Sequence, residues 1–99
     1  EERHRRYEQE QAERRERQRR QEIDHRRWSQ FQDHAENWRA RARLLVFIEE
    51  LRRRLQIEGD ADIEGRPLSE WIVWAEERAL SLDPFQNGLK GLFETISSA

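Results

Sequence analysis

Ninety-nine residues, 34% hydrophobic and 40% charged, leave room for one small domain with a thin core. With no cysteine, disulfide frameworks and zinc–thiolate centres are excluded, and a net charge of −2 makes the chain neither polycation nor polyanion. The charge is uneven: residues 1–58 hold 16 Arg against 13 acids (+3), and residues 59–99 hold 3 basic against 8 acidic side chains (−5).

Residues 1–22, "EERHRRYEQEQAERRERQRRQE", have Tyr7 and Ala12 as their only apolar side chains. They offer no stripe to hold against a core, but they are good helix formers without Gly or Pro. Acid-to-arginine spacings of four recur at Glu1–Arg5, Glu2–Arg6, Glu10–Arg14, Glu13–Arg17, Glu16–Arg20 and Glu22–Arg26. Such pairs contribute about 0.2–0.5 kcal/mol each. A solvated charged helix or linker is expected over 1–22, dispensable for folding.

From Ile23 an apolar pattern begins. Trp28, Phe31, Ala35, Trp38, Ala42 and Leu45 alternate steps of three and four, a heptad seam. Leu44, Ile48, Leu51 and Leu55 continue it on an adjacent line, with Phe47 beside them. Nothing up to residue 57 breaks a helix, and a continuous rod of that length would span about 85 Å. A bend around 32–37 is the one alternative.

"EGDADIEGRP" (58–67) reads as a loop, with Pro67 suited to the first helical position. No period-two alternation is long enough to argue for a strand. Leu68, Trp71, Ile72, Ala75, Ala79 and Leu82 then share one face of a helix over 67–82, closed by Asp83-Pro84. In the tail, 86–99, Leu89, Leu92, Phe93 and Ile96 fit a short amphipathic helix. The fold class is therefore all-α: a long charged N-terminal helix, then an antiparallel helical hairpin over 23–85 (helix 23–57, loop 58–66, helix 67–82), with a short C-terminal helix in the tail. The second helix should fold back on residues 38–57. Trp38 and Trp71 should then meet the opposing helix, while Trp74 lies off the main face and serves a rim or a partner.

The chemistry-bearing residues are sparse. Glu1–His4 and Glu22–His25 carry the Glu-x-x-His spacing of di-iron bundles, but they sit on the most polar part of one helix. His25 and His34, nine apart, point about 180° from each other. No metal, no cofactor and no small-molecule ligand is expected. Nor is an enzyme, since no nucleophile, phosphate cradle or pocket carboxylate is placed for one. Arg14, Arg15, Arg17, Arg19, Arg20, Arg26 and Arg27 give the segment 14–28 a net +4 after Glu16, Glu22 and Asp24. Direct nucleic-acid binding through this helix is the alternative reading, weakened by those acids and by the spread of the arginines around the helix. No apolar run approaches the roughly 20 residues of a membrane span, and no signal peptide is recognisable. A cytoplasmic protein without a membrane partner is the expectation, and the lack of any methionine suggests a piece of a longer one.

Trp38, Leu44 and Phe47-Ile48, followed by Trp71, Trp74-Ala75, Ala79 and Leu82-Asp83-Pro84, make a pattern similar to the carboxyl-terminal region of a group of uncharacterised bacterial proteins. In those, a Glu/Arg-rich helix precedes a Trp-containing hairpin, and an upstream segment looks helix-turn-helix-like. The resemblance covers residues 1–85 and rests on aromatic spacing. Arg41 and Leu45 depart from it, where a small and a basic residue would stand. It implies a DNA-reading motif upstream and transfers no functional residue to this chain. The functional expectation is a non-enzymatic oligomerisation or partner-docking module. Its interface would be Trp28, Phe31, Trp38 and Trp74, and its partner a second copy or another helical protein. A helix of about 16 residues reaches only about 24 Å, which leaves much of the seam wet in a monomer.

Overall fold

The computed structural model describes residues 2–99. Its elements are α1 (Glu2–Glu58), β1 (Asp62–Ile63), β2 (Arg66–Pro67), α2 (Leu68–Leu80) and α3 (Gly88–Ser97). The molecule is all-α apart from the two short strands, and measures 84 × 28 × 18 Å. Its length is that of α1, which runs through residues 32–37 without a break.

Few of the expected charge ladders close along the first half of α1. Of the acid-to-arginine spacings, Glu16–Arg20 is drawn together, at 3.4 Å, and Glu16 also reaches Arg19 at 3.8 Å. His4 and Glu8 add a contact at 3.0 Å. Glu1–Arg5 and the Glu1–His4 spacing lie outside the described residues. Helix propensity and the absence of any breaker, rather than paired charges, sustain this stretch.

Gly59 ends α1 at a positive φ of 83°, its N–H donating to the Leu55 carbonyl at 2.9 Å. The segment expected to be a plain loop contains an antiparallel β-hairpin, with Ile63 paired to Arg66 and Asp62 to Pro67. Its two-residue turn is Glu64-Gly65, both at positive φ (52° and 77°), the geometry that matches the twist of a tight hairpin. Two-residue strands are too short to show alternation, which is why the pattern of the sequence does not announce them. Pro67 is the N-cap of α2 rather than its first residue. Asp60 reaches across to the start of α2, accepting from the Ser69 hydroxyl at 2.6 Å and from the Ser69 N–H at 3.3 Å.

α2 folds back along α1, and Ile48, Ile72 and Ala79 form the centre of the core. Leu45, Leu51, Leu55 and Ala75 pack around them. Arg52 and Glu76 bridge the same two helices at the surface. After α2 the chain turns through Asp83, whose carboxylate accepts from the Phe85 N–H at 2.9 Å. α3 then returns to α1, burying Leu92 and Ile96, and Arg27 donates to the Ser97 carbonyl at 3.0 Å. The tail is thus a third packed helix covering a different length of α1 from α2.

Candidate docking surface

The inward face of α1 follows Gln30, His34, Arg41, Leu45, Ile48, Leu51 and Leu55, each at least partly buried. With about 100° per residue, Trp28, Phe31, Ala35, Trp38 and Ala42 lie about a third of a turn away from that face. They point outward: Trp28 is 56% exposed, Phe31 41% and Trp38 49%. The heptad seam of the sequence is therefore not the line that α2 covers. Leu45 belongs to both lines and marks where they diverge.

Trp28 and Phe31, one turn apart, stack with centroids 5.4 Å apart and planes inclined by 10°. Beside them Phe31, Ala35 and Trp38 form one wall of an apolar cleft of about 230 Å³, closed on the other side by Pro84, Phe85 and Leu92. Trp38 thus faces the α2–α3 turn and α3, not α2 as expected. Phe85 is itself half exposed. No periodicity points to it, although Asp83-Pro84 signals the turn that presents it.

Trp74 lies elsewhere. Phe47, next to Ile48 and about 100° the other way round α1, shares a second apolar groove of about 460 Å³ with Leu51, Leu55, Trp71 and Trp74. Trp71 is half-buried at the end of this groove rather than in the core. Its indole N–H donates to the Ile63 carbonyl at 3.2 Å, the Arg66 guanidinium sits 4.5 Å from its ring, and Trp74 meets it edge-on at 5.9 Å. Trp71 therefore fastens the β-hairpin to α2, which its position on the apolar face of α2 does not reveal. Of the four interface residues expected, the fold brings Trp28, Phe31 and Trp38 together and leaves Trp74 on the opposite flank.

The seven arginines of 14–28 are all exposed and distributed around the helix, with Arg19 and Arg20 beside Glu16 and Arg27 engaged by α3. No single basic face results. The strongest electrostatic perturbation lies further along, where hydrogen bonds from Arg53 and then Arg54 pull Glu50 down to a pKa of about 2. The Ser69 hydroxyl, ahead of the backbone N–H groups of Ala61 and Ser69, holds Asp60 below its ordinary carboxylate range. Both are surface carboxylates tied to structural partners. Among the described residues, no three His, Asp or Glu side chains converge as metal ligands, and no helix is long and apolar enough to cross a membrane.

Compared with protein-family models, curated proteins and solved structures, the chain matches none.

Proposed function

We propose that this chain is a non-enzymatic association module, a helical rod that pairs with a second copy through the Trp28–Phe31–Trp38 stripe of α1. One observation carries the reading. Between residues 27 and 42, the line of α1 turned inward is more polar than the line turned to water. Inward stand Gln30, His34 and Arg41, each partly buried; outward stand Trp28, Phe31, Ala35, Trp38 and Ala42, all exposed. Within a monomer Pro84, Phe85 and Leu92 face Phe31, Ala35 and Trp38 across an apolar cleft and cover them only in part. The three aromatics and Phe85 together leave on the order of 400 Å² of apolar side chain in water. Burial of one large apolar side chain is worth about 1.5–3 kcal/mol, enough in aggregate to drive pairing.

Sedimentation equilibrium at micromolar concentration tests this. The expected mass is that of a dimer, and Trp28→Ser combined with Phe31→Ser should return it to a monomer of unchanged helix content. A wild-type chain that stays monomeric at 100 μM would refute the reading (a Kd of that size corresponds to about 5.5 kcal/mol).

A further inference from the structure

We infer that the two copies pair antiparallel along α1, centred near Asp33, so that Trp28 of each meets Trp38 of the other. This rests on the self-association proposed above and adds its direction and register. The outward face of α1 continues beyond the aromatics in both directions. Arg17 lies on it toward the N-terminus, and Glu49 and Arg53 lie on it toward the C-terminus, by the same rotation of about 100° per residue. Reversing one copy about Asp33 maps this face onto itself. Phe31 then lies on the small Ala35 of the partner copy, a large side chain in the space left by a small one. Arg17 falls opposite Glu49, and Glu13 opposite Arg53, which also holds Glu50 of its own protomer. Neither Arg17 nor Glu49 is ion-paired within the protomer among the described residues, so both are free for such a contact.

The neighbouring arrangements are worse. Slipping one heptad one way sets Arg20 against Arg53 and Asp24 against Glu49. Slipping the other way sets Glu10 against Glu49 and Arg6 against Arg53. A parallel pair in register opposes Arg17, Glu49 and Arg53 each with itself, and like charges so placed oppose association. The reversed pairing also fits the larger charge pattern. It lays the N-terminal half of one copy, within the segment of net +3, along the end of the other that carries residues 59–99 at −5. Half of α1 has no intramolecular cover beyond α3, and its partner's other half would supply it. Val46, 67% exposed, is covered in the same way by the stem of Arg20.

The chain has no cysteine, so a single Gln18→Cys carries one nitroxide label per copy. Gln18 is exposed and off the proposed contact face. Double electron–electron resonance should give about 45 Å, thirty residues at 1.5 Å rise. A separation of about 20 Å or less, the helix spacing plus label arms, would mean a parallel pair and overturn the orientation. Values near 35 or 55 Å would mean a register slipped by one heptad and overturn the alignment. A monomer in sedimentation would instead overturn the association itself, so the two failures are told apart. As a second readout, Arg17→Glu should weaken dimerisation about three- to tenfold, and adding Glu49→Arg should restore it. Loss without restoration would refute the pairing of those two positions.

Discussion

Ile72 and Trp71 are neighbours in sequence with different work. Ile72 is 8% exposed in the core beside Ile48 and Ala79, whereas Trp71 lies half-buried between the β-hairpin and Trp74. Truncating a core isoleucine costs about 2–5 kcal/mol, a large part of the stability of so small a domain. Ile72→Ala should therefore abolish or nearly abolish the cooperative thermal transition. Trp71→Phe keeps an aromatic ring but a smaller one, removing the N–H that donates to Ile63 and part of the area packed against Trp74, so a loss of about 1–2 kcal/mol is expected. Denaturant unfolding of the two variants checks the order; a costlier Trp71→Phe would place the tryptophan at the centre of the core. The helical pattern identifies both residues as apolar-face positions. It cannot rank them, because their difference in burial comes from the hairpin that folds over one and the helix that covers the other.

At the scale of elements, the hairpin between α1 and α2 determines where α2 begins its return. Its turn puts Glu64 at φ 52°, a backbone region that costs a side chain with a Cβ and that asparagine tolerates better. Glu64→Asn is expected to raise stability by roughly 0.5–1 kcal/mol, read as a higher denaturant midpoint at unchanged slope. Gly65→Ala, at φ 77°, should lower it by a similar amount. Opposite signs for the two substitutions would tie the effect to backbone conformation, and a shared sign would count against a two-residue turn. The glycines and proline of 58–67 mark a turn region clearly. The strands are set by pairing between Asp62–Ile63 and Arg66–Pro67, and such a short pairing has no periodicity of its own.

Across the whole molecule, α1 is an 84 Å scaffold to which α2 and α3 add a core only over its second half and middle. Residues 2–22 contribute no buried side chain. A chain beginning at Ile23 should therefore keep a thermal transition close to that of the parent, measured by circular dichroism at a concentration where both are monomers. Under the proposed antiparallel pairing its self-association should be weaker, because Glu13 and Arg17 are gone. Loss of the transition itself would show that the charged half stabilises the protomer directly.

The amino-acid sequence by itself determines the helices: an unbroken run without Gly or Pro to residue 58, a Gly- and Pro-marked reversal, and apolar steps of three and four over α2 and α3. It also determines that α1 has more apolar surface than α2 can cover. Which line of α1 turns inward is settled by packing between elements. Periodicity gives the angles between residues on one helix, but two apolar lines converge at Leu45, and each satisfies it. The choice depends on what meets α1 from outside. Ile72 and Ala79 arrive against Ile48, and Leu92 and Ile96 are buried where α3 returns along the stretch that includes Arg27. Those contacts join residues distant in sequence, such as Arg27 and Ser97, and no local pattern encodes them. α2 is seated on the apolar line through Leu45, Ile48, Leu51 and Leu55, and α3 meets the more polar stretch that includes Arg27, which leaves Trp28, Phe31 and Trp38 largely exposed.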